Sequence, residues 1–220
     1  MHGSNPMIEF MTGPAGQIQL VIEPPAGTPI GIAMISHPQP LLGGSPRHLV
    51  PHSMAKRLVE EGWIAVRPAF RGVGESAGTY DEGRGETEDA VLIAGELRDR
   101  YPDLPLALVG FSFGAHVYAR TACALEPRTP ADAVVLMGLP IGLTPGGREY
   151  EALPIPTRSL LLHGQDDTMA PLSHVLDWAR ATHHPVTVMP GTDHFFKGGL
   201  PSVLDHVARH LRAVARPASA

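Results

Sequence analysis

The chain has 220 residues, 43% of them hydrophobic, with 17 basic against 22 acidic side chains and a formal charge of −5. That is enough apolar material for one sizeable core and short for two ordinary domains, so one domain over residues 1–220 is expected. The charges form no basic stripe and no apolar run approaches the roughly 18 residues of a membrane helix, which argues against nucleic-acid and membrane partners.

The N-terminus lacks the pattern of a signal peptide, and the single cysteine, Cys123, lies in an Ala-rich segment that reads as helix. A cytoplasmic protein with a packed structural thiol is expected. Residues 1–6 read as a non-native scar or a frayed end, outside the fold.

Gly and Pro together number 47 and fall between apolar segments, as punctuation for many short elements. Residues 8–11 and 17–23 flank the turn signal Gly13-Pro14-Ala15-Gly16 and predict a hairpin. Residues 30–35 are a continuous apolar run of strand length, followed by a helix over 51–61 and a strand over 63–66. An amphipathic helix over 87–100, a buried strand over 106–109 and a helix over 113–125 come next. Strands over 133–137, 159–162 and 186–189, with helices over 172–182 and 200–214, complete the chain. Strands buried on both faces and alternating with helices specify a doubly wound α/β architecture with a mostly parallel sheet.

In such sheets ligands bind beyond the carboxyl ends of the strands, and four of these junctions carry reactive groups. Gly110-Phe111-Ser112-Phe113-Gly114 stands between a strand and a helix. A serine must protrude from the backbone to act as a nucleophile, and a sharp strand-to-helix turn achieves this when small residues lie two before and two after it. The bland alternative is a tight turn with a capping serine. Leu162-His163-Gly164-Gln165-Asp166-Asp167 offers two carboxylates that could orient a histidine, and spacing favours Asp167, leaving Asp166 as a loop acceptor. Gly191-Thr192-Asp193-His194 supplies the general base, with Asp193 as a turn residue. The order Ser, Asp, His, each after a separate strand, carries more weight than any one motif.

The fourth junction, Ser36-His37-Pro38-Gln39-Pro40, lies where a second oxyanion donor is needed beside the Phe113 N–H. Proline has no N–H, so of Pro38, Gln39 and Pro40 only Gln39 can donate. Gly43-Gly44 would let this loop pass close over the site. His37 and Tyr80 are further candidates for substrate contact.

These residues, with Phe70-Arg71-Gly72-Val73-Gly74-Glu75-Ser76, Gly78-Thr79-Tyr80-Asp81-Glu82-Gly83 and Gly85-Glu86-Thr87-Glu88-Asp89, resemble the α/β-hydrolase superfamily over nearly the whole chain. More narrowly, they are similar to small capless bacterial hydrolases of the dienelactone-hydrolase type, though with serine in place of that enzyme's cysteine nucleophile. The resemblance implies an eight-stranded sheet and a Ser112, Asp167, His194 triad. His37-Pro38-Gln39 stands where many relatives have His-Gly-X, which supports Gln39 as an oxyanion donor.

Only residues 138–157 separate the strand at 133–137 from the acid strand, too few for a helical cap. An open, shallow site suited to modest acyl groups is therefore expected. The reaction read from the residues is cleavage of a small carboxylic ester through an acyl-enzyme, with no cofactor or metal. A peptidase, thioesterase or carbon–carbon hydrolase with the same triad, and a non-catalytic binding protein on this fold, stand as alternatives. Arg71 and Glu75 read as charge tethers, Asp81 and Glu86 as backbone caps, and His116 as a packed helix residue.

Overall fold

The computed structural model describes residues 6–215; residues 1–5 of the expected N-terminal scar lie outside the described residues. Strands β1 (Met7–Gly13) and β2 (Gly16–Glu23) form the expected hairpin, paired antiparallel in full register from Met7↔Ile22 to Gly13↔Gly16. Next come β3 (Gly31–Ile35), α1 (Leu49–Glu60), β4 (Trp63–Pro68), α2 (Arg84–Arg100), β5 (Leu106–Phe111) and α3 (Phe113–Leu125). The chain continues through β6 (Ala133–Met137), a short hairpin of β7 (Gly142–Leu143) and β8 (Glu149–Tyr150), then β9 (Leu160–Gly164), α4 (Leu172–Thr182), β10 (Val186–Met189) and α5 (Leu200–Leu211).

The main sheet has eight strands in the order β1-β2-β4-β3-β5-β6-β9-β10, parallel from β4 to β10 and antiparallel at β1, β2 and β4. This is the expected doubly wound fold. Alternate strand residues feed two separate cores because successive side chains point to opposite faces. Ile32, Met34, Leu106, Leu108, Val134 and Leu136 pack with α2 and α3 on one face. Ala33, Ile35, Ala107, Val109, Val135 and Met137 pack with Met54 and Leu58 of α1 and with Val203 and Val207 of α5 on the other. Each large aliphatic side chain removed from water in this way contributes about 1.5–3 kcal/mol.

α2 starts three residues earlier than the apolar pattern suggested. Glu86, fully buried, accepts from the N–H groups of Asp81 (2.9 Å) and Gly83 (3.0 Å), so the cap extends the helix beyond its apolar face. Asp81 caps as expected, through the Gly85 N–H. Arg71 does form a charge tether, but to Asp89 (2.8 Å) and Glu88 (3.2 Å) on α2, not to Glu75. A feature the sequence pattern did not signal is Arg67 of β4, 2% exposed, which pairs with Glu23 of β2 and donates to the Pro46 carbonyl.

Candidate active site

β5 lies at the middle of the sheet, and the chain turns from it directly into α3 at Ser112. Ser112 adopts φ 57° and ψ −127°, a conformation that costs a non-glycine residue about 1–3 kcal/mol. The strain is held from both sides. The Ser112 N–H donates to Met137 O of β6 (2.9 Å), and its carbonyl accepts from Ala115 (2.8 Å) and His116 (3.2 Å) in the first turn of α3.

The flanking glycines are required by backbone crowding. A Cβ on Gly110 would meet Ala115 Cα at 2.6 Å, and one on Gly114 would meet Ser36 Oγ at 2.3 Å and His37 O at 2.6 Å. Gly114 thus presses the N-terminus of α3 against the loop that follows β3.

The three residues expected to act together do meet. Ser112 Oγ lies 2.8 Å from His194 Nε2, and His194 Nδ1 lies 2.6 Å from Asp167 Oδ2. His194 and Asp167 are buried, at 4% and 6% exposure, while Ser112 is partly open. Gly138 leaves room for the imidazole, since a Cβ there would stand 3.2 Å from His194 Cε1.

Asp167 also accepts from the N–H groups of Met169 (2.9 Å) and Ala170 (2.8 Å) through Oδ1. Burial alone would push this carboxyl up. Hydrogen bonds from His163, His194 and Ala170 N–H more than offset that and hold it below the ordinary carboxylate range. The carboxylate is therefore ionised wherever the histidine functions.

Asp166 is exposed and meets the loop only through its N–H, to Thr192 O (2.9 Å). The loop-acceptor role expected of Asp166 is carried out by Asp167, through the Met169 and Ala170 N–H groups. Asp193 is a turn residue as expected, accepting from Phe195 and Lys197 (3.0 Å each). Sequence reading missed His163, 1% exposed, whose Nε2–H donates to Ala170 O (2.7 Å) and also faces Asp167 Oδ2 (3.3 Å). Its position at the end of an apolar strand run, four residues before the acid, was the available signal.

In the loop after β3, the Gln39 carbonyl accepts from Leu42 (3.1 Å) and Gly44 (2.9 Å), folding residues Pro40–Leu42 into a single 3-10 turn. Gly44 is obligatory there, because a Cβ would meet Pro38 O at 2.1 Å. Among the described residues, neither the Gln39 nor the Phe113 N–H has a partner. The Gln39 side chain is clamped: Nε2 donates to the hydroxyls of Tyr80 (3.2 Å) and Tyr150 (3.4 Å).

His37 requires a correction. It is fully buried and does not line the cavity; Nδ1–H donates to Pro38 O (2.8 Å) and Nε2 accepts from Phe70 N–H (3.1 Å). Burial pushes its pKa down to about 3, and protonation would also set an N–H against the Phe70 N–H. It pins the loop to the end of β4. Tyr80 likewise stands behind Gln39, its ring 5.3 Å from that of Phe113, and does not line the cavity.

The cavity above Ser112 has a volume of about 180 Å³. Its walls come from the loop after β3, from Thr168, Met169 and Ala170, from His194 and Phe195, and from the β7–β8 hairpin through Thr144, Arg148 and Tyr150. The expected open, shallow site is corrected in this respect. Residues 138–157 form no helical cap, but they fold into a hairpin that walls one side.

No family model matches the chain. A lidless α/β serine hydrolase of Xanthomonas campestris superposes with a TM-score of 0.85 at 28% identity, covering 100% of this chain and 99% of its own. An α/β serine hydrolase homologue from Coxiella burnetii gives a TM-score of 0.79 at 30% identity, over 96% of this chain and 99% of its own. The chain belongs to the α/β serine hydrolases. This hydrolase is also 31% identical over 197 residues to an uncharacterised protein of Rickettsia prowazekii, covering 86% of this chain and 81% of that one. A Pyrococcus furiosus esterase shares its fold, with a TM-score of 0.74 at 17% identity.

Proposed function

We propose that this α/β hydrolase cleaves small carboxylic esters by acyl transfer, with Ser112 as nucleophile, His194 as general base and Asp167 as the orienting carboxylate. The continuous Ser112–His194–Asp167 hydrogen-bond chain, at 2.8 and 2.6 Å, carries the reading. His194 Nε2 takes the proton as Ser112 Oγ attacks the carbonyl carbon, and Asp167 stabilises the imidazolium that forms. The unpartnered N–H groups of Phe113 and Gln39 receive the oxyanion. His194 then returns the proton to the leaving alcohol, and water, activated by the same imidazole, releases the acid. A cavity of about 180 Å³, well under the roughly 300–1,000 Å³ of sites for drug-sized ligands, fits a modest acyl group.

The test is turnover of p-nitrophenyl acetate together with labelling by a fluorophosphonate probe. The wild-type chain is expected to turn over the ester and to be labelled at Ser112, and Ser112→Ala to lose both. Retention of wild-type turnover by Ser112→Ala, or absence of labelling in the wild type, refutes the assignment and leaves the binding-protein reading.

A further inference from the structure

The cavity wall has an uneven charge that acyl transfer does not require. Arg148, partly buried immediately before β8, lines it, and among the described residues its guanidinium has no carboxylate partner. The neighbouring acids are engaged or lie outside the cavity wall. Glu151 pairs with Arg120 (3.2 Å), and the exposed Glu149 does not line the cavity.

Among the described residues no Asp or Glu lines the cavity, although the chain as a whole carries a charge of −5. Asp167, the nearest buried acid, is committed to His194 and His163. The hairpin fixes the base of Arg148, whose carbonyl accepts from Thr144 N–H (2.8 Å) and from its hydroxyl (3.0 Å). Arg148 shares the cavity wall with Tyr150 and Gln39, and the Tyr150 hydroxyl accepts from Gln39 Nε2 (3.4 Å).

His48 is a second uncommitted donor on the same cavity wall. The His48 ring packs against Phe111 and Phe195, at 5.9 and 5.4 Å between centroids, and lines the same cavity. Its Nδ1 is buried without a partner, which favours the tautomer with the proton on Nε2. Nε2 is not among the buried unpartnered atoms and makes no internal hydrogen bond, so it is the ring atom a ligand reaches.

Resting on the serine-hydrolase reading, we infer that the substrate is an ester that itself carries a carboxylate, received by Arg148 with His48 Nε2–H as a second donor. A fork of guanidinium N–H groups matches a carboxylate in both geometry and charge. The absence of acids from the wall avoids the repulsion that would otherwise exclude such a substrate.

Two ester pairs test this: p-nitrophenyl hexanoate against mono-p-nitrophenyl adipate, with the charge on the acyl side, and phenyl acetate against 4-acetoxybenzoate, with the charge on the alcohol side. Wild-type kcat/KM is expected to favour the anionic member of at least one pair by tenfold or more, mainly through KM. Arg148→Gln should bring that ratio down at least tenfold, and Arg148→Lys should keep part of it. Arg128→Gln, which removes an equal charge from the exposed turn after α3, should leave it unchanged. Equal or lower kcat/KM for both anionic esters overturns the inference, as does an equal fall in the ratio for Arg128→Gln. Fluorophosphonate labelling of Ser112 in each variant reports an intact site. If the wild type is neither labelled nor active on the neutral esters, the serine-hydrolase reading itself fails.

Discussion

The turn at Ser112 and the β7–β8 hairpin face each other across one cavity, yet they are built by different physics. The turn is held by crowding that admits only glycine at 110 and 114, by the sheet hydrogen bond to Met137 and by two cores packed on either side of β5. The hairpin has two residues per strand and is anchored by one side chain, Tyr150, whose ring packs into the core against His116 and whose hydroxyl accepts from Gln39. Ser112 thus stands where the backbone has no freedom, and the proposed carboxylate contact stands on the short hairpin. Side-chain changes at the turn should cost chemistry or folding, and changes on the hairpin should cost selectivity.

The largest effect expected is on Ser112→Ala, a loss of at least about 10,000-fold in kcat/KM with the fold intact. Asp167→Asn should lose about 1,000- to 10,000-fold, because the neutral amide can hold the imidazole in the wrong tautomer. Asp166→Asn, in an exposed side chain one residue earlier, should stay within about twofold. Steady-state kinetics on one ester decides both, and a larger loss for Asp166→Asn would reverse the choice of acid.

Gly114→Val should destabilise by about 1–3 kcal/mol or more in urea unfolding, since the added carbons must displace Ser36 and the His37 backbone. A comparable loss from Thr144→Val, on the hairpin, would erase the contrast drawn between the two regions.

Acid should weaken the fold well above the range where the Asp167 carboxylate titrates. Buried His37 and His116 have folded pKa values pushed down to about 3 and about 4 by desolvation. The unfolded chain, with histidine near 6.5, binds protons that the fold cannot take until the pH reaches those values. Stability from the two is fully present above about pH 6.5 and falls as the pH drops toward 4, by about 2 kcal/mol between pH 6 and 5. The depressed Asp167 contributes stability above the ordinary carboxylate range, near pH 4, and loses it only below. His116→Leu should reduce the loss of unfolding free energy between pH 6 and 5 by about 1 kcal/mol. An unchanged loss would remove His116 as its source.

The smallest effect belongs to Tyr80→Phe, which removes one of the two hydroxyls holding the Gln39 amide. A fall in kcat of about two- to fivefold with KM unchanged is expected if the clamp sets the donor's position. A change in KM alone would make Tyr80 a substrate contact after all.

What the sequence determined by itself follows local rules. The parallel sheet was legible in continuous apolar strands, and Ser112, Asp167 and His194 in residue type, strand-end placement and chain order. That Gln39 alone of residues 38–40 carries an N–H was legible because proline has none. Each of these depends on near neighbours in the chain or on the universal geometry of parallel sheets.

Only the tertiary structure decided the rest. His37 looked like a substrate contact until folding paired its two nitrogens with Pro38 and Phe70. His163 gained its place beside Asp167, and Tyr80 its place behind Gln39, from contacts that no periodicity records. Arg67 found Glu23 and Pro46, 44 and 21 residues away. The physical reason is common to all four: a polar side chain's role is set by the partner that satisfies it when it is buried, and that partner is chosen by the packing of distant segments.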